Sequence, residues 1–270
     1  MLNGHDHFAL TAEVNPPELP GADHLGLQGT WEHVLVTDNV FGKIRVSPYA
    51  YGARLTHDLP GCDPTVVVST RDRNILAIES EVRGAITNGV SSFLVVIGDS
   101  RPHVDHLSDH EQIARHLRAL QDQIPDRFEV GMPTRLNRDH LTSRVDLGAQ
   151  FLMAGPIVDA ATVGPSMDAL GRVPGDPPVH VMVMPPFSPS WVERSAGIGA
   201  VPASDELRSR LADLDKGDRR SFAWEHALET CAALEEHGAA GAVLVGISFT
   251  TLVAEAATRM LDPWKESRRA

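Results

Sequence analysis

The chain has 270 residues, of which 42% are hydrophobic and 22% charged, the balance of an ordinary globular domain with room for a substantial core. Its net charge of −12 argues against nucleic acid as a partner, because phosphate binding needs clustered Lys and Arg. No run approaches the roughly 20 apolar residues of a membrane span. The opening MLNGHDHFAL lacks the segments of a signal peptide, and Cys62 and Cys231 are too few for a disulfide framework, so a cytoplasmic location is the expectation.

In chain order, eight apolar runs bounded by turn residues read as strands. They span 8–14, 33–39, 65–70, 92–99, 128–132, 150–155, 179–184 and 241–248. Most are near-continuous hydrophobic stretches, the pattern of parallel strands buried on both faces. Amphipathic stretches lie between most of them. In 73–89, Ile75, Ile78, Val82 and Ile86 fall at helical spacing; in 109–125, Ile113, Leu117 and Leu120 do so behind Asp109 as N-cap. Cys231 lies in a further helical pattern and reads as a small core residue. Strand–helix alternation repeated eight times predicts a single (β/α)8 barrel over 1–270, with an open doubly wound sheet as the alternative. No G-x-G-x-x-G follows any strand, which weakens the open-sheet reading. The longest connection, 188–220, is the lid candidate.

In such a barrel the chemistry lies at the C-terminal ends of the strands. Strand one ends in Glu13-Val14-Asn15, strand two in Thr37-Asp38-Asn39, strand three in Ser69-Thr70-Arg71 and strand four in Gly98-Asp99. Strand six ends in Ala154-Gly155-Pro156, and Phe187 follows strand seven. A carboxylate inside an apolar strand is costly unless paired or used. Glu13 is therefore either a general acid with a raised pKa or a rim carboxylate satisfied by Arg71 or a backbone N–H. Asp99 either accepts paired N–H bonds from a planar heterocycle or caps the next loop. Phe187 and Trp191 read either as partners for a ligand ring or as anchors for the insertion. His5 and His7 precede strand one, at the wrong end for a barrel metal site. His103, His106 and His110, with Asp105 and Asp109, carry zinc-ligand chemistry but the spacing of a solvated helix face. No metal is expected.

Several of these segments resemble the methylenetetrahydrofolate reductases. TAEVNPP is similar to the family's acidic strand-one motif, and 69–99 resembles its longest block, a Thr-Cys-Arg-Asp-Arg-Asn run, helix and strand finishing in Gly-Asp. RVDLGAQFLMAGPIVDA and the segments AVPASDELRSRL and LEEHGAAGAVLVGIS follow in the family's order. The resemblance implies NAD(P)H-dependent reduction of 5,10-methylenetetrahydrofolate to 5-methyltetrahydrofolate. It makes Glu13 the catalytic acid and Asp99 the catalytic carboxylate that also binds the pterin. Gly155 and Phe187 are then expected at the substrate, and Thr37, Asp38, Asn39, Thr70 and Arg71 at the cofactor. Two departures bear on the flavin. The Tyr-Pro-Glu-x-His-Pro-like segment after strand five has no counterpart here, and the family's Thr-Gln pair after strand six is replaced by Ala154-Gly155. The expectation is therefore NADH or NADPH as direct hydride donor without FAD. An FAD-containing reductase and a folate- or pterin-binding barrel without reductase activity are the alternatives.

Overall fold

The computed structural model describes residues 7–21, 27, 31–98, 109–248 and 250–268. Eight parallel strands, β1 (Ala9–Val14), β2 (His33–Val36), β3 (Asp63–Ser69), β4 (Ser92–Val96), β5 (Glu129–Thr134), β6 (Phe151–Ile157), β7 (Val179–Val183) and β8 (Gly241–Leu244), pair in chain order and close from β8 back onto β1. The helices are α1 (Pro48–Asp58), α2 (Ile75–Thr87), α3 (His110–Gln121), α4 (Arg138–Asp146), α5 (Val163–Leu170), α6 (Pro189–Ser195), α7 (Asp205–Asp213), α8 (Lys216–Glu236), α9 (Thr250–Ala256) and α10 (Asp262–Glu266). The chain is a (β/α)8 TIM barrel, as the alternation predicts.

Strand parity sorts the side chains. Val34, Val36, Val66, Val68, Phe93 and Val95 belong to the main cluster beneath the helices, whereas Leu35, Val67, Leu94, Phe151, Met153 and Val243 form a second cluster. Alternate residues of a strand point to opposite faces, so these are the outer and inner surfaces of the barrel wall. Near the N-terminal end of the strands the interior carries a polar chain. The Thr65 hydroxyl donates to Ser92 Oγ at 3.0 Å, and the Ser92 hydroxyl donates to Glu129 Oε1 at 3.0 Å. All three residues are buried.

The helices begin where short polar side chains can satisfy their first N–H groups. Asn74 accepts from Ala77 N, Asp109 from Glu111 N, Asn137 from His140 N and Ser204 from Leu207 N. Cys231 is fully buried in α8, and burial pushes its thiol pKa upward, in keeping with a packing role.

Segment 188–220 contains α6 and α7 and runs into α8, which starts at Lys216 rather than after the insertion. Val192, Ala200, Ala203, Leu207 and Leu211 of this segment join the cluster of barrel-interior residues. Val201 N donates to Pro156 O at 2.9 Å and Ser204 N to Asp159 Oδ2 at 2.8 Å. The lid candidate is thus fastened to the end of β6 and the loop after it.

Interior space is tight at Gly131. A Cβ there would lie 2.2 Å from Cε2 and 2.3 Å from Cζ of the fully buried Phe151 ring. Gly131→Ala is expected to cost about 2–3 kcal/mol, the overpacking range for a site whose neighbours cannot retreat. Urea unfolding reads this as a lower midpoint at unchanged slope. A cost below about 0.5 kcal/mol would mean that the ring re-seats freely.

Candidate active site

Glu13 is the last inward-facing residue of β1, because parity places Ala9, Thr11 and Glu13 on one face and Leu10, Ala12 and Val14 in the outer cluster. Its carboxyl meets the end of β8. Gly246 N–H donates to Glu13 Oε1 at 3.4 Å, and the Ser248 hydroxyl hydrogen-bonds the same carboxyl. The network continues outward. Asn15 Nδ2 donates to Ser248 Oγ at 2.8 Å, and the Thr37 hydroxyl donates to Asn15 Oδ1 at 2.5 Å. Thus β1, β2 and β8 share one hydrogen-bonded chain ending on Glu13.

Part of the Glu13 surface remains open, but protein atoms enclose the carboxyl closely. Desolvation raises its pKa to about 7 against the opposing bonds from Gly246 and Ser248. Such a group is protonated in a large fraction of molecules at neutral pH. When it releases its proton, two donors already face the resulting charge. That is the arrangement of a general acid. Of the two ways sequence reasoning offered to satisfy Glu13, the backbone N–H is present. Arg71 instead donates to the carbonyls of Asp38 at 3.2 Å and Asn39 at 3.0 Å.

The end of β8 can reach Glu13 because Gly246 adopts a left-handed conformation, φ +74°. The indole of Trp191, on α6, lies directly over it. A Cβ on Gly246 would sit 2.7 Å from Trp191 Cζ2. Trp191 is therefore part of this site, although Phe187 is turned elsewhere. Phe187 packs edge-on against Trp224, with centroids 5.0 Å apart, and against Trp191 at 6.4 Å. These contacts anchor the insertion to α8, the second of the two roles expected of Phe187.

Three of the expected cofactor residues make hydrogen bonds to neighbouring strand ends. Thr37 faces inward with Leu35, which carries Asp38 outward. There the Asp38 side chain is completely covered, paired with Arg73, and accepts from Ser69 N at 3.3 Å. Thr70 is likewise buried, its hydroxyl donating to Ile97 O at 3.2 Å. Arg71 is buried, and one guanidinium nitrogen donates to the two backbone carbonyls named above. These hydrogen bonds fasten the ends of β2, β3 and β4 to one another. Asn39 remains half-buried in a left-handed turn, its Oδ1 accepting from Arg45 N at 2.8 Å. Gly155 lies where the β6–β7 register shifts, between Ala154 and Ile157, so it can offer only backbone. Asp99, His103, Asp105 and His106 lie outside the described residues. Among the described residues no group of His, Cys, Asp and Glu is placed to hold a metal ion, and no helix is long and apolar enough to cross a membrane.

Asn15, Gly246 and Ser248 were not picked out as site residues from the sequence, and Trp191 was read there only as a ligand-ring partner or an anchor of the insertion. Reading strand eight's end alongside the others would have found Gly246 and Ser248, since they follow an apolar run as Glu13 does.

The fold defines a closed parallel barrel with its polar chain at the C-terminal mouth. No family model matches the chain, and no curated protein matches it by sequence. Among solved structures it is similar to 2,3-dimethylmalate lyase, a member of the PEP mutase/isocitrate lyase superfamily, at a TM-score of 0.54 and 12% identity. That match covers 98% of this chain and 83% of the lyase. It is also similar to the carboxyl transferase domain of Rhizobium etli pyruvate carboxylase, solved with pyruvate and biocytin. Here the TM-score is 0.53 at 12% identity, over 99% of this chain and 46% of the other. Likeness at this identity reaches the fold and stops there.

Proposed function

We propose that this barrel reduces 5,10-methylenetetrahydrofolate to 5-methyltetrahydrofolate with NADH or NADPH as hydride donor and without FAD. The observation that carries the chemistry is Glu13, an acid with a pKa of about 7 at the barrel mouth with two donors waiting for its charge. The substrate class rests on the ordered motifs around 10–17 and 69–99, which resemble the methylenetetrahydrofolate reductases.

In this reading Glu13 gives its proton to N10 of the substrate, the bond from N10 to the bridging carbon breaks, and N5 becomes an iminium. The nicotinamide supplies one hydride to that carbon. Gly246 N–H and the Ser248 hydroxyl then hold the Glu13 carboxylate until solvent returns a proton, while Asn15 and Thr37 fix the Ser248 hydroxyl. Electrostatic help of this kind acts where charge appears during the reaction. Asn39, half-buried at the end of β2, is the polar side chain there that keeps some exposure toward a nucleotide.

The short connection 135–137 between β5 and α4, which has no counterpart of the family's Tyr-Pro-Glu-x-His-Pro-like segment, supports a reading without flavin. No step of the reading runs through FAD.

The test is oxidation of NADH and of NADPH by the purified protein, with and without methylenetetrahydrofolate, alongside the visible spectrum. Folate-dependent oxidation by colourless protein is the expected result. Failure with both nucleotides would sink the reductase reading, and stoichiometric flavin would sink the direct-transfer part of it.

A further inference from the structure

The benzo edge of the Trp191 indole meets Gly246, with Cζ2 2.7 Å and Cη2 3.4 Å from where a glycine Cβ would stand. Nε1 is enclosed and makes no hydrogen bond among the described residues. The indole is fixed from behind. Ser188 caps α6 through Trp191 N at 3.2 Å, Phe187 packs edge-on to the ring, and the Arg194 guanidinium lies 5.8 Å from the ring centroid on the roof. Trp191 also packs against the barrel-interior cluster.

We propose that Trp191 is a positioning residue for Glu13: the indole roofs the Gly246 turn and keeps water away from the carboxyl that the turn holds. A dry, enclosed turn favours the neutral carboxyl over the carboxylate. Opening the roof would let water solvate the charged form. The groups acting on the carboxyl from the packed elements are Gly246 N–H and Ser248 from the end of β8, and the charged group nearest the indole is Arg194. The proposal concerns the acid and its cover and does not depend on which substrate is reduced.

The experiment is a pH titration of the backbone amide of Gly246, followed by nuclear magnetic resonance on the whole chain without substrate. The signal is assigned by its loss of response in Glu13→Gln. In the wild type the amide should titrate near 7, where Glu13 does. Trp191→Ala is expected to lower that midpoint by about one pH unit, the shift of a carboxyl regaining water. Trp191→Phe, which keeps an aromatic cover, should hold it within a few tenths. If the alanine variant does not fold, Trp191→Leu, which uncovers part of the turn, carries the same comparison and should move the midpoint the same way. An unchanged midpoint in the uncovered variant, or an equal shift in Trp191→Phe, overturns the proposal. Because no substrate is present, either result stands apart from the reductase assay. Where that assay succeeds, the alkaline limb of the rate profile should move with the amide midpoint.

Discussion

Glu13→Gln is expected to abolish most of the activity while making the protein more stable above neutrality. Loss of a positioned general acid costs on the order of 10²–10⁴ in kcat. Because the protonated form is the active one, the wild-type rate should fall as pH rises through about 7, and the glutamine variant should lose that limb. The stability effect has the opposite sign. The folded-state pKa of about 7 lies above the ordinary 4.5, so folding takes up a proton in that interval. Stability therefore falls as pH rises from the unfolded to the folded value, and the full penalty is present above both. A shift of this size corresponds to about 3 kcal/mol for a fully enclosed group, and the partial opening of the Glu13 surface reduces it to about 1–3 kcal/mol. Urea unfolding of both proteins at pH 4 and pH 8 reads this. The variant should gain at the higher pH and little at the lower. Equal stability at both would mean that Glu13 titrates as an ordinary exposed carboxyl, and an unaffected rate would remove it from the mechanism.

The largest loss of stability at a charged residue is expected from Asp38→Ala. The Asp38 carboxyl is wholly covered, accepts from Ser69 N and pairs with Arg73, whose guanidinium lies 5.6 Å from the Tyr49 ring centroid and whose Nε is 3.2 Å from Glu81. Removing one partner of a buried pair typically costs about 3–5 kcal/mol, because the other charge is left without its counterion. Arg73 keeps some exposure and Glu81, so the lower end, about 3 kcal/mol, is expected. The double variant Asp38→Ala/Arg73→Met should recover part of that loss, since it removes the stranded charge. A single-variant cost below about 1 kcal/mol would mean that water or Glu81 takes over the guanidinium.

The two predictions also mark how far the sequence could be read. Eight continuous apolar runs fix strand existence because a parallel barrel buries both faces of each strand, and that pattern survives in one sequence. Glu13 was legible for the same reason, as a charge interrupting such a run. Asp38 was misplaced because its neighbours 37–39 are all polar, and hydropathy alone does not say which of three polar residues faces inward. Counting parity from Leu35 places Thr37 inside and Asp38 outside. The partners of Glu13 were harder to see. Ser248 is 235 residues from Glu13 in the chain, and only closure of β8 onto β1 brings them together. Trp191 reaches the site from a connection whose helices have no barrel-wide periodicity to announce them.

The buried chain from Thr65 through Ser92 to Glu129 bears on how the barrel chooses its stagger. A strand sliding by two residues, about 7 Å, keeps every side chain on its own face, so hydrophobic patterning alone does not forbid it. Ser92 pairs with Thr65 on one side and Glu129 on the other in the observed register. Sliding β5 by two in either direction would part the Glu129 carboxyl from the Ser92 hydroxyl, and sliding it toward the C-terminal mouth would carry the carboxyl into the apolar middle of the barrel, where an unsatisfied carboxyl is costly. The polar chain therefore acts as a vernier across β3, β4 and β5, selecting one alignment among several that apolar contacts would accept.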